Sequence, residues 1–330
     1  MTPIAPFVVS YLRKHLPIER RFSQNTCDTY AYSLQLLFEY ASKCLGEAPS
    51  KLNLEQIDSL VILGFLEHLQ TIRGNSPTTR NARLVAIKSF MRFVEYRSPS
   101  SLEQVRQIVA IPPQKTDDPL IRHLDVDEVR ALLDAVDPST RLGIRDRAML
   151  HLAITGGLRV SELVALRLDE ITFRSRYVDI RIFGKGRRER SLTLWNSVAQ
   201  SLRAWITLRG DARVLELFLN ARGEPMTRSG FEYILLKHVD AARTRCPSLS
   251  GKRVSPHVLR HTCAMNILKA TGDIRKVALW LGHASTQTTE IYLRADPTER
   301  LEALDKATPP CLRPGTFSPP DRLIELLKEH

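Results

Sequence analysis

Six side chains from residue 159 onward are of types that can act on a phosphate ester: Arg159, Lys185, His257, Arg260, His283 and Tyr292. A phenol is a weak nucleophile with a pKa of about 10, so it needs a base and nearby positive charge before it can attack phosphorus. No carboxylate cluster that could hold magnesium accompanies these residues. The inventory therefore indicates phosphoryl transfer in which fixed cations, rather than metal ions, stabilise the charge of the transition state.

Arg159 follows two glycines in Thr155-Gly-Gly-Leu-Arg-Val-Ser-Glu-Leu, a pattern that predicts the start of a helix. In the first turn of that helix, the guanidinium would stand beside free backbone N–H groups, an arrangement that suits a phosphate. Taken alone, the segment favours an exposed helix arginine without a ligand.

Lys185 lies in Gly184-Lys-Gly-Arg-Arg, between the alternating run Tyr177-Val-Asp-Ile-Arg-Ile-Phe and the run Arg190-Ser-Leu-Thr-Leu. Alternating runs around a glycine-containing turn predict a β-hairpin with the lysine at its tip. The spacing of a Walker loop is missing. A mobile hairpin tip could bring Lys185 to a leaving oxygen, whereas the alternative is non-specific phosphate contact by Lys185, Arg187 and Arg188.

His257 and Arg260 share one helical turn in Ser255-Pro-His-Val-Leu-Arg-His. Ser255 is a candidate N-cap and Pro256 suits the first helical position, so His257 would sit near the positive end of the helix dipole. Arg260 is three residues on, on the same face. His261 invites a zinc interpretation, but Val258 stands where a metalloprotease motif needs Glu. We therefore predict no metal site and interpret His261 as structural.

His283 and Tyr292 lie in Leu281-Gly-His-Ala-Ser-Thr-Gln-Thr-Thr-Glu-Ile-Tyr-Leu. The glycine is expected to end an apolar helix over Val277 to Leu281 and to leave His283 at its end. Tyr292 follows nine residues later on a second short helix. Local pattern alone favours a core or interface aromatic at this position.

The elements that must position these residues are mostly helices. Thr26 to Cys44 is amphipathic up to Gly46, and a second helix is expected to begin at Ser76-Pro77 and to continue through Val94. One face of the second helix carries a basic stripe that suits a DNA backbone, although a solvated surface would look the same. The stripe consists of Arg80, Arg83, Lys88 and Arg92.

Two prolines and a polar run after Val109 indicate a linker. We predict a helical domain over 1–110, a linker over 111–119, a second domain over 120–305 that contains the six side chains, and a Pro-rich tail with a short terminal helix over 306–330. The expected fold class is mainly α, with one small antiparallel sheet in the second domain.

The composition favours a polyanionic partner. The 330-residue chain has a net charge of +12 and a pI near 9.7, and both sides of the linker are basic. Nucleic acid is the first expectation and an anionic membrane its rival. No apolar run approaches the ~18 residues of a membrane span, and no signal peptide is evident. The cysteines are odd in number and never spaced as C-x-x-C, which is typical of reduced thiols in a cytoplasmic protein. They are Cys27, Cys44, Cys246, Cys263 and Cys311.

In their order and spacing, these segments resemble the tyrosine recombinase (phage integrase) family, most closely its bacterial Xer-like and integrase-like branch. Ser23-Gln-Asn-Thr with Tyr30, and Ser76-Pro-Thr-Thr-Arg-Asn, resemble its N-terminal SAM-like core-binding domain. The His-x-x-Arg, Leu-Gly-His and Tyr set resembles its catalytic domain. In that family the two domains form a clamp around DNA.

The resemblance implies a role for each of the six residues. Tyr292 would attack the scissile phosphate to give a 3′-phosphotyrosyl link and a free 5′-hydroxyl, without ATP, metal or another cofactor. Arg159 and Arg260 would bind the non-bridging oxygens, and Lys185 would protonate the leaving oxygen. His257 would assist proton transfer at the nucleophile, and His283 would hydrogen-bond the phosphate.

The resemblance also implies double-stranded DNA with inverted-repeat core sites as the substrate, bound by a homotetramer or together with a related recombinase. The tail could be exchanged between protomers or docked on its own protomer. Integration, transposition and resolution of DNA all remain open as the biological event. Alternative functions are a type IB topoisomerase, a non-catalytic DNA-binding protein and a metal-dependent nuclease.

Overall fold

The computed structural model of the chain describes residues 1–117, 121–184, 189–210, 214–283 and 286–295. Its internal contacts divide the chain into two compact units, Met1–Asp118 and Pro119–His330. The tail predicted over 306–330 lies outside the described residues. None of the described helices is long and apolar enough to cross a membrane.

The N-terminal unit is helical throughout its secondary structure. Its helices are α1 (Ala5–Ser10), which continues into a π-helical segment (Tyr11–Glu19), α2 (Gln24–Leu45), α3 (Ser59–Thr71), α4 (Pro77–Glu95) and α5 (Leu102–Ala110). The predicted end of α2 is confirmed, because Gly46 ends the helix at φ 70°. The helix begins two residues before the predicted Thr26, since the Ser23 hydroxyl caps it by accepting from the Thr26 N–H. Ser76 likewise caps α4 by accepting from Thr79, and Pro77 is its first residue.

The core of this unit forms where α2, α3, α4 and the π-helical segment bury their apolar faces. Aromatic side chains dominate it: Tyr11, Phe65, Phe90 and Phe93 are each 0–1% exposed. Tyr11 packs edge-on against Phe90, with ring centroids 5.3 Å apart, and its hydroxyl donates to Ser89 at 2.8 Å. The unit thus has a closed hydrophobic core of its own.

The C-terminal unit combines helices with one small sheet. Its helices are α6 (Val126–Asp134), α7 (Arg141–Gly156), α8 (Val160–Ala165), α9 (Asn196–Arg209), α10 (Arg228–Arg243), α11 (Pro256–Thr271), α12 (Ile274–Leu281) and α13 (Ile291–Ala295). Its strands are β1 (Ile171–Phe173), β2 (Tyr177–Phe183) and β3 (Glu189–Trp195), antiparallel in the order β1-β2-β3. The predicted fold class, mainly α with a small antiparallel sheet, is confirmed.

The hairpin of β2 and β3 has the predicted alternation. Val178, Ile180 and Ile182 are at most 2% exposed, whereas the residues between them face outward or are half-buried. The register pairs Ile180 with Leu192 and Phe183 with Glu189, so the paired strands end just before and just after residues 185–188, which lie outside the described residues. β1 was not predicted, because three residues are too few to show an alternating pattern.

A separate small core joins α11, α12 and α13. It contains Ala264, Met265, Leu268, Val277, Leu281 and Tyr292. Tyr292 is therefore held by the same apolar cluster that packs α11 against α12.

Candidate active site

Five of the six predicted catalytic residues lie in the described part of the chain, at the N-terminus of α8, on α11 and around the α12–α13 turn. Lys185 lies outside the described residues, as do Arg187 and Arg188.

Arg260 occupies the centre of the site and is 5% exposed. Its Nη1 donates to the Gly157 carbonyl at 2.6 Å and its Nη2 to the Leu281 carbonyl at 2.8 Å. Burial, followed by the charge of Arg159, lowers the pKa of Arg260 to about 10, so it remains a cation at neutral pH. Arg260 thereby joins the turn before α8 to the end of α12.

The close approach of these turns depends on glycine at residue 157. Gly157 has φ 59°, and a Cβ there would lie 2.7 Å from Leu281 and 2.9 Å from the Cys263 sulfur. A side chain at this position would therefore be strained and would also clash with α11 and α12. The glycine lets the carbonyl of residue 157 reach Arg260.

Arg159 is the N-cap residue of α8, one position before the helical turn in which it was predicted. Its backbone N–H donates to Glu162 Oε2 at 2.9 Å, and its Nη1 donates to Glu162 Oε1 at 2.8 Å. The side chain of Arg159 is 36% exposed while that of Glu162 is 4% exposed. A buried carboxylate therefore holds a guanidinium that can still reach an external phosphate.

Glu162 also binds Arg190 of β3, a second cation that the sequence analysis did not place in the site. Arg190 Nη1 and Nη2 donate to the two carboxylate oxygens at 3.1 and 2.8 Å. Burial raises the pKa of Glu162, but the hydrogen bonds from Arg190 and Arg159 and the charge of Arg190 hold that pKa below its usual range. Nothing in the local sequence marks Arg190, since an arginine near the connection of a hairpin is usually solvated.

His283 follows Gly282, which ends α12 at φ 65° as predicted. Its backbone N–H bonds to the Ala278 carbonyl at 3.0 Å, and its Nδ1 lies 2.8 Å from Thr289 Oγ1. Burial and the charges of Arg260, Arg159 and Arg190 lower the pKa of His283 to about 4. The imidazole is therefore neutral at pH 7 and can donate one hydrogen bond while it accepts another.

Tyr292 lies on α13, the short helix predicted for it, and is 1% exposed. Burial raises the pKa of its hydroxyl to about 12, although the charges of Arg260 and Arg159 act to lower it. The phenol and both arginines are thus within electrostatic reach of one another. In this conformation the hydroxyl is protonated at neutral pH.

His261 is the partner of the Tyr292 hydroxyl. Its Nδ1 lies 3.0 Å from Oη, and the two rings meet edge to face with centroids 5.6 Å apart. Burial, with the charges of His257 and Arg260, lowers the pKa of His261 to about 4, so the neutral ring can accept the phenolic proton. The interpretation of His261 as a purely structural residue overlooked this contact, because its position was weighed only against zinc binding.

His257 lies in the first turn of α11, as predicted, and its side chain is exposed. Ser255 is the N-cap residue of α11, but its side chain forms no capping hydrogen bond, so the predicted cap is wrong in that detail. The role of His257 at the nucleophile stays a prediction.

The four predicted DNA-binding residues of α4 do not form one free stripe. Arg80 is 7% exposed, Arg83 donates to Ser33 Oγ at 3.0 Å, and Lys88 donates to the Ile111 carbonyl at 2.5 Å. Arg92 alone of the four is exposed. Periodicity placed these residues outside the apolar face of α4 but could not show that neighbouring segments cover three of them.

Among the described residues, no group of three or more His, Cys, Asp or Glu side chains is arranged to hold a metal ion. What the site contains is a neutral phenol, two neutral imidazoles and three guanidiniums around one buried carboxylate. Such a set can bind a phosphodiester anion and transfer its phosphorus to the phenolic oxygen.

Comparison with known proteins identifies related chains over both units. The "Phage integrase family" model matches residues 122–299, and the "Phage integrase, N-terminal SAM-like domain" model matches residues 9–108. "Putative integrase/recombinase y4rC" of Sinorhizobium fredii is 39% identical over 98% of this chain and 97% of its own length. Tyrosine recombinase XerC of Pelobacter propionicus is 32% identical over 92% of this chain and 95% of its own.

The fold has a counterpart among solved structures as well. The site-specific recombinase XerH bound to a palindromic difH substrate, in a post-cleavage complex, has a TM-score of 0.69 at 23% identity. The match covers 90% of this chain and 84% of XerH. With family matches in both units and relatives along nearly its whole length, the chain belongs to the phage integrase family.

Proposed function

We propose that this protein is a site-specific DNA recombinase that cuts and rejoins DNA through a 3′-phosphotyrosyl bond to Tyr292. The observation that carries the proposal is the meeting of the phenol and Arg260 at the end of α12: Tyr292 shares an apolar cluster with Leu281, and Arg260 donates to the Leu281 carbonyl. The charges of Arg260 and Arg159 act on the phenolic hydroxyl there. Residues from four separate segments of the chain, at 159, 260, 283 and 292, meet there. Membership of the phage integrase family supports the same reaction.

In the cleavage step, Tyr292 Oη attacks the scissile phosphorus while the bond from phosphorus to the 5′-oxygen breaks. Arg159 and Arg260 bind the non-bridging oxygens, and neutral His283 donates a hydrogen bond to one of them. Lys185 supplies the proton that the departing 5′-oxygen needs. Because one phosphate ester replaces another, the tyrosyl link keeps the energy for rejoining, and no nucleotide cofactor or metal is needed.

The phenolic proton must leave as Oη attacks. The family resemblance assigns this transfer to His257, whereas His261 is the histidine whose Nδ1 lies 3.0 Å from Oη. Tyr292 is 1% exposed, so its hydroxyl has to move out of the small core to meet a DNA phosphate. His261 therefore holds the proton-bearing oxygen before cleavage, and we expect the exposed His257, whose charge acts on His261, to receive the proton once the tyrosine has moved.

We expect the substrate to be double-stranded DNA with inverted-repeat core sites, contacted by both units and bound by a tetramer on paired sites or with a related recombinase. The net charge of +12 favours such a polyanion. XerH, whose fold this chain shares, was solved on a palindromic substrate. We place the protein in the cytoplasm with its DNA, in integration, transposition or resolution.

Trapping on a nicked duplex tests the proposal. A nick next to the cleavage position lets the short fragment that carries the free 5′-hydroxyl diffuse away, so rejoining is prevented. The wild-type protein should therefore accumulate as a denaturant-stable adduct, while Tyr292→Phe forms none. Tyr233→Phe, an exposed tyrosine on α10, is the matched control and should form adduct at the wild-type rate.

Two further experiments distinguish the recombinase from the alternative functions. Adduct formation that persists in EDTA rules out a metal-dependent nuclease. Relaxation of any supercoiled plasmid, without a site requirement, would indicate a type IB topoisomerase instead. Failure of the wild-type protein to form an adduct on any inverted-repeat DNA, with binding retained, would overturn the proposal in favour of a DNA-binding protein.

A further inference from the structure

Arg190 lies next to the catalytic residues but has no role in the reaction described above. It is the second residue of β3, pairs with Ile182 of β2, and stands five residues after Lys185. Its side chain is 11% exposed, against 36% for Arg159. Of the two arginines on Glu162, one is thus enclosed and the other is open to the outside.

The two arginines share a single carboxylate. Arg159 binds Oε1 with its side chain and Oε2 with its backbone N–H, and Arg190 binds both oxygens in a fork at 3.1 and 2.8 Å. Either guanidinium alone would leave Glu162, which is 4% exposed, with a charged partner. Removing both would leave a buried anion unpaired, which is strongly unfavourable.

Arg190 is also packed against the turn that carries His283. A Cβ built on Gly282 would lie 2.8 Å from Arg190 Cδ and 3.0 Å from its Nη1. The Nε of Arg190 is buried and has no hydrogen-bond partner among the described residues. The guanidinium is therefore held in place by Glu162 on one side and by the glycine turn on the other.

We propose that Arg190 is a positioning residue that keeps Glu162 paired while Arg159 leaves it to bind the scissile phosphate. The inference rests on the proposed function, since it concerns how Arg159 becomes available to a phosphate. A phosphate oxygen that takes the Nη1 donor of Arg159 would displace Glu162 Oε1 from it. With Arg190 bound in a fork to the carboxylate, this exchange leaves no unpaired buried charge, so Arg159 can move at little cost.

The exchange predicts how two substitutions combine. In Arg190→Gln, Glu162 has only Arg159 as a cationic partner and should retain it against the phosphate. The rate of adduct formation on a nicked duplex should fall about tenfold or more, with DNA affinity unchanged, because the rest of the DNA-binding surface is intact. Adding Glu162→Gln removes the competing anion, and the double variant should recover about tenfold over Arg190→Gln.

A role of Arg190 in packing alone predicts the opposite combination, since a second buried substitution would add damage. The rates are therefore measured under single-turnover conditions at saturating enzyme, with DNA affinity and thermal unfolding recorded for each variant. Arg181→Gln, an exposed arginine on the neighbouring strand, is the matched control and should react at the wild-type rate. Arg190→Lys should fall between wild type and Arg190→Gln, because lysine restores the charge without the fork.

The outcomes separate this inference from the proposed function. Adduct formation by wild type and by Arg181→Gln would support the recombinase proposal whatever the role of Arg190. The role of Arg190 is overturned if Arg190→Gln then reacts as fast as wild type, or if the double variant is no faster than Arg190→Gln. Should Arg190→Gln not fold, Arg190→Lys and Arg190→Lys/Glu162→Gln make the same comparison. Equal rates for that pair would also overturn the inference.

Discussion

At the scale of single residues, the site is dominated by groups whose burial keeps them neutral. Tyr292 has its pKa raised to about 12, and His261 and His283 have theirs lowered to about 4. A neutral phenol can then donate to a neutral imidazole, which is the contact between Tyr292 and His261. An unreacted nucleophile is thus stored as a hydrogen-bonded, protonated side chain, without the cost of burying a charge.

These histidines predict how stability depends on pH. Each has a pKa near 6.5 when unfolded and about 4 when folded, so protons bind the unfolded state more tightly. Their contribution to stability is present above pH 6.5 and is lost as the pH falls toward 4. Since both side chains are only partly buried, we expect the loss to be at most ~3 kcal/mol for each.

Urea unfolding between pH 7 and 4 checks this expectation. His261→Gln keeps a hydrogen-bond acceptor for Tyr292 but cannot be protonated, so its free energy of unfolding should decline less steeply over that range than that of wild type. Identical slopes for the two proteins would show that His261 is not a source of the acid sensitivity.

At the scale of elements, the site is built where helices end. α12 stops at Gly282, α7 stops at Gly157, and α8 begins at Arg159. A helix end leaves backbone groups unpaired, and here two of the freed carbonyls, those of Gly157 and Leu281, accept from Arg260. The guanidinium thereby fastens the two ends together and is itself oriented.

Two glycines with the same conformation allow a matched test of the α12 end. Gly282 and Gly272 have φ 65° and 60°, but a Cβ on Gly282 meets Arg190, whereas a Cβ on Gly272 meets nothing within 4 Å. Each change to Ala should cost about 1 kcal/mol of stability from backbone strain. Gly282→Ala should in addition slow adduct formation, because Arg190 and the His283 turn must shift apart.

Chemical unfolding together with the nicked-duplex assay distinguishes the two effects. The expected pattern is destabilisation by both substitutions, larger for Gly282→Ala than for Gly272→Ala, with a reduced rate of adduct formation only in Gly282→Ala. An equal effect of both substitutions on the rate would mean that Gly282 contributes only its conformation.

At the scale of the whole molecule, the chain consists of two basic units, each with its own buried core. The net charges of Met1–Asp118 and Pro119–His330 are +3 and +9, from 14 − 11 and 34 − 25 basic minus acidic residues. Both units therefore have electrostatic reason to lie on a DNA duplex, and affinity should weaken steeply with salt because bound counterions are released.

Arg92 gives this expectation a residue-level check within the N-terminal unit. It is the exposed member of the predicted α4 stripe, so Arg92→Ala should reduce the slope of log affinity against log salt by about 1. Arg106→Ala removes an exposed arginine on α5 outside that stripe and should leave the slope unchanged. Fluorescence anisotropy titrations from low to moderate salt would measure both, and an unaltered slope for Arg92→Ala would remove this residue from the DNA surface.

The sequence by itself determined the features that depend on neighbouring residues. The caps at Ser23 and Ser76, the helix ends at Gly46 and Gly282, and the alternating β2 and β3 strands all follow from backbone preferences within a few positions. The six catalytic candidates could be recognised for a similar reason, since they lie in four short segments of the chain.

Only the tertiary structure decided which distant side chains share a charge or a proton. Arg190 reaches Glu162 across 28 residues and His261 reaches Tyr292 across 31, while Lys88 bonds to Ile111 beyond its own helix. A local sequence pattern predicts which side chains of a single helix or strand would be exposed. The packing of α8, α11, α13 and β3 against one another decides which of those side chains come within hydrogen-bonding distance. Burial then changes the chemistry of the groups it brings together, because a low-dielectric interior strengthens each pair and penalises each unpaired charge.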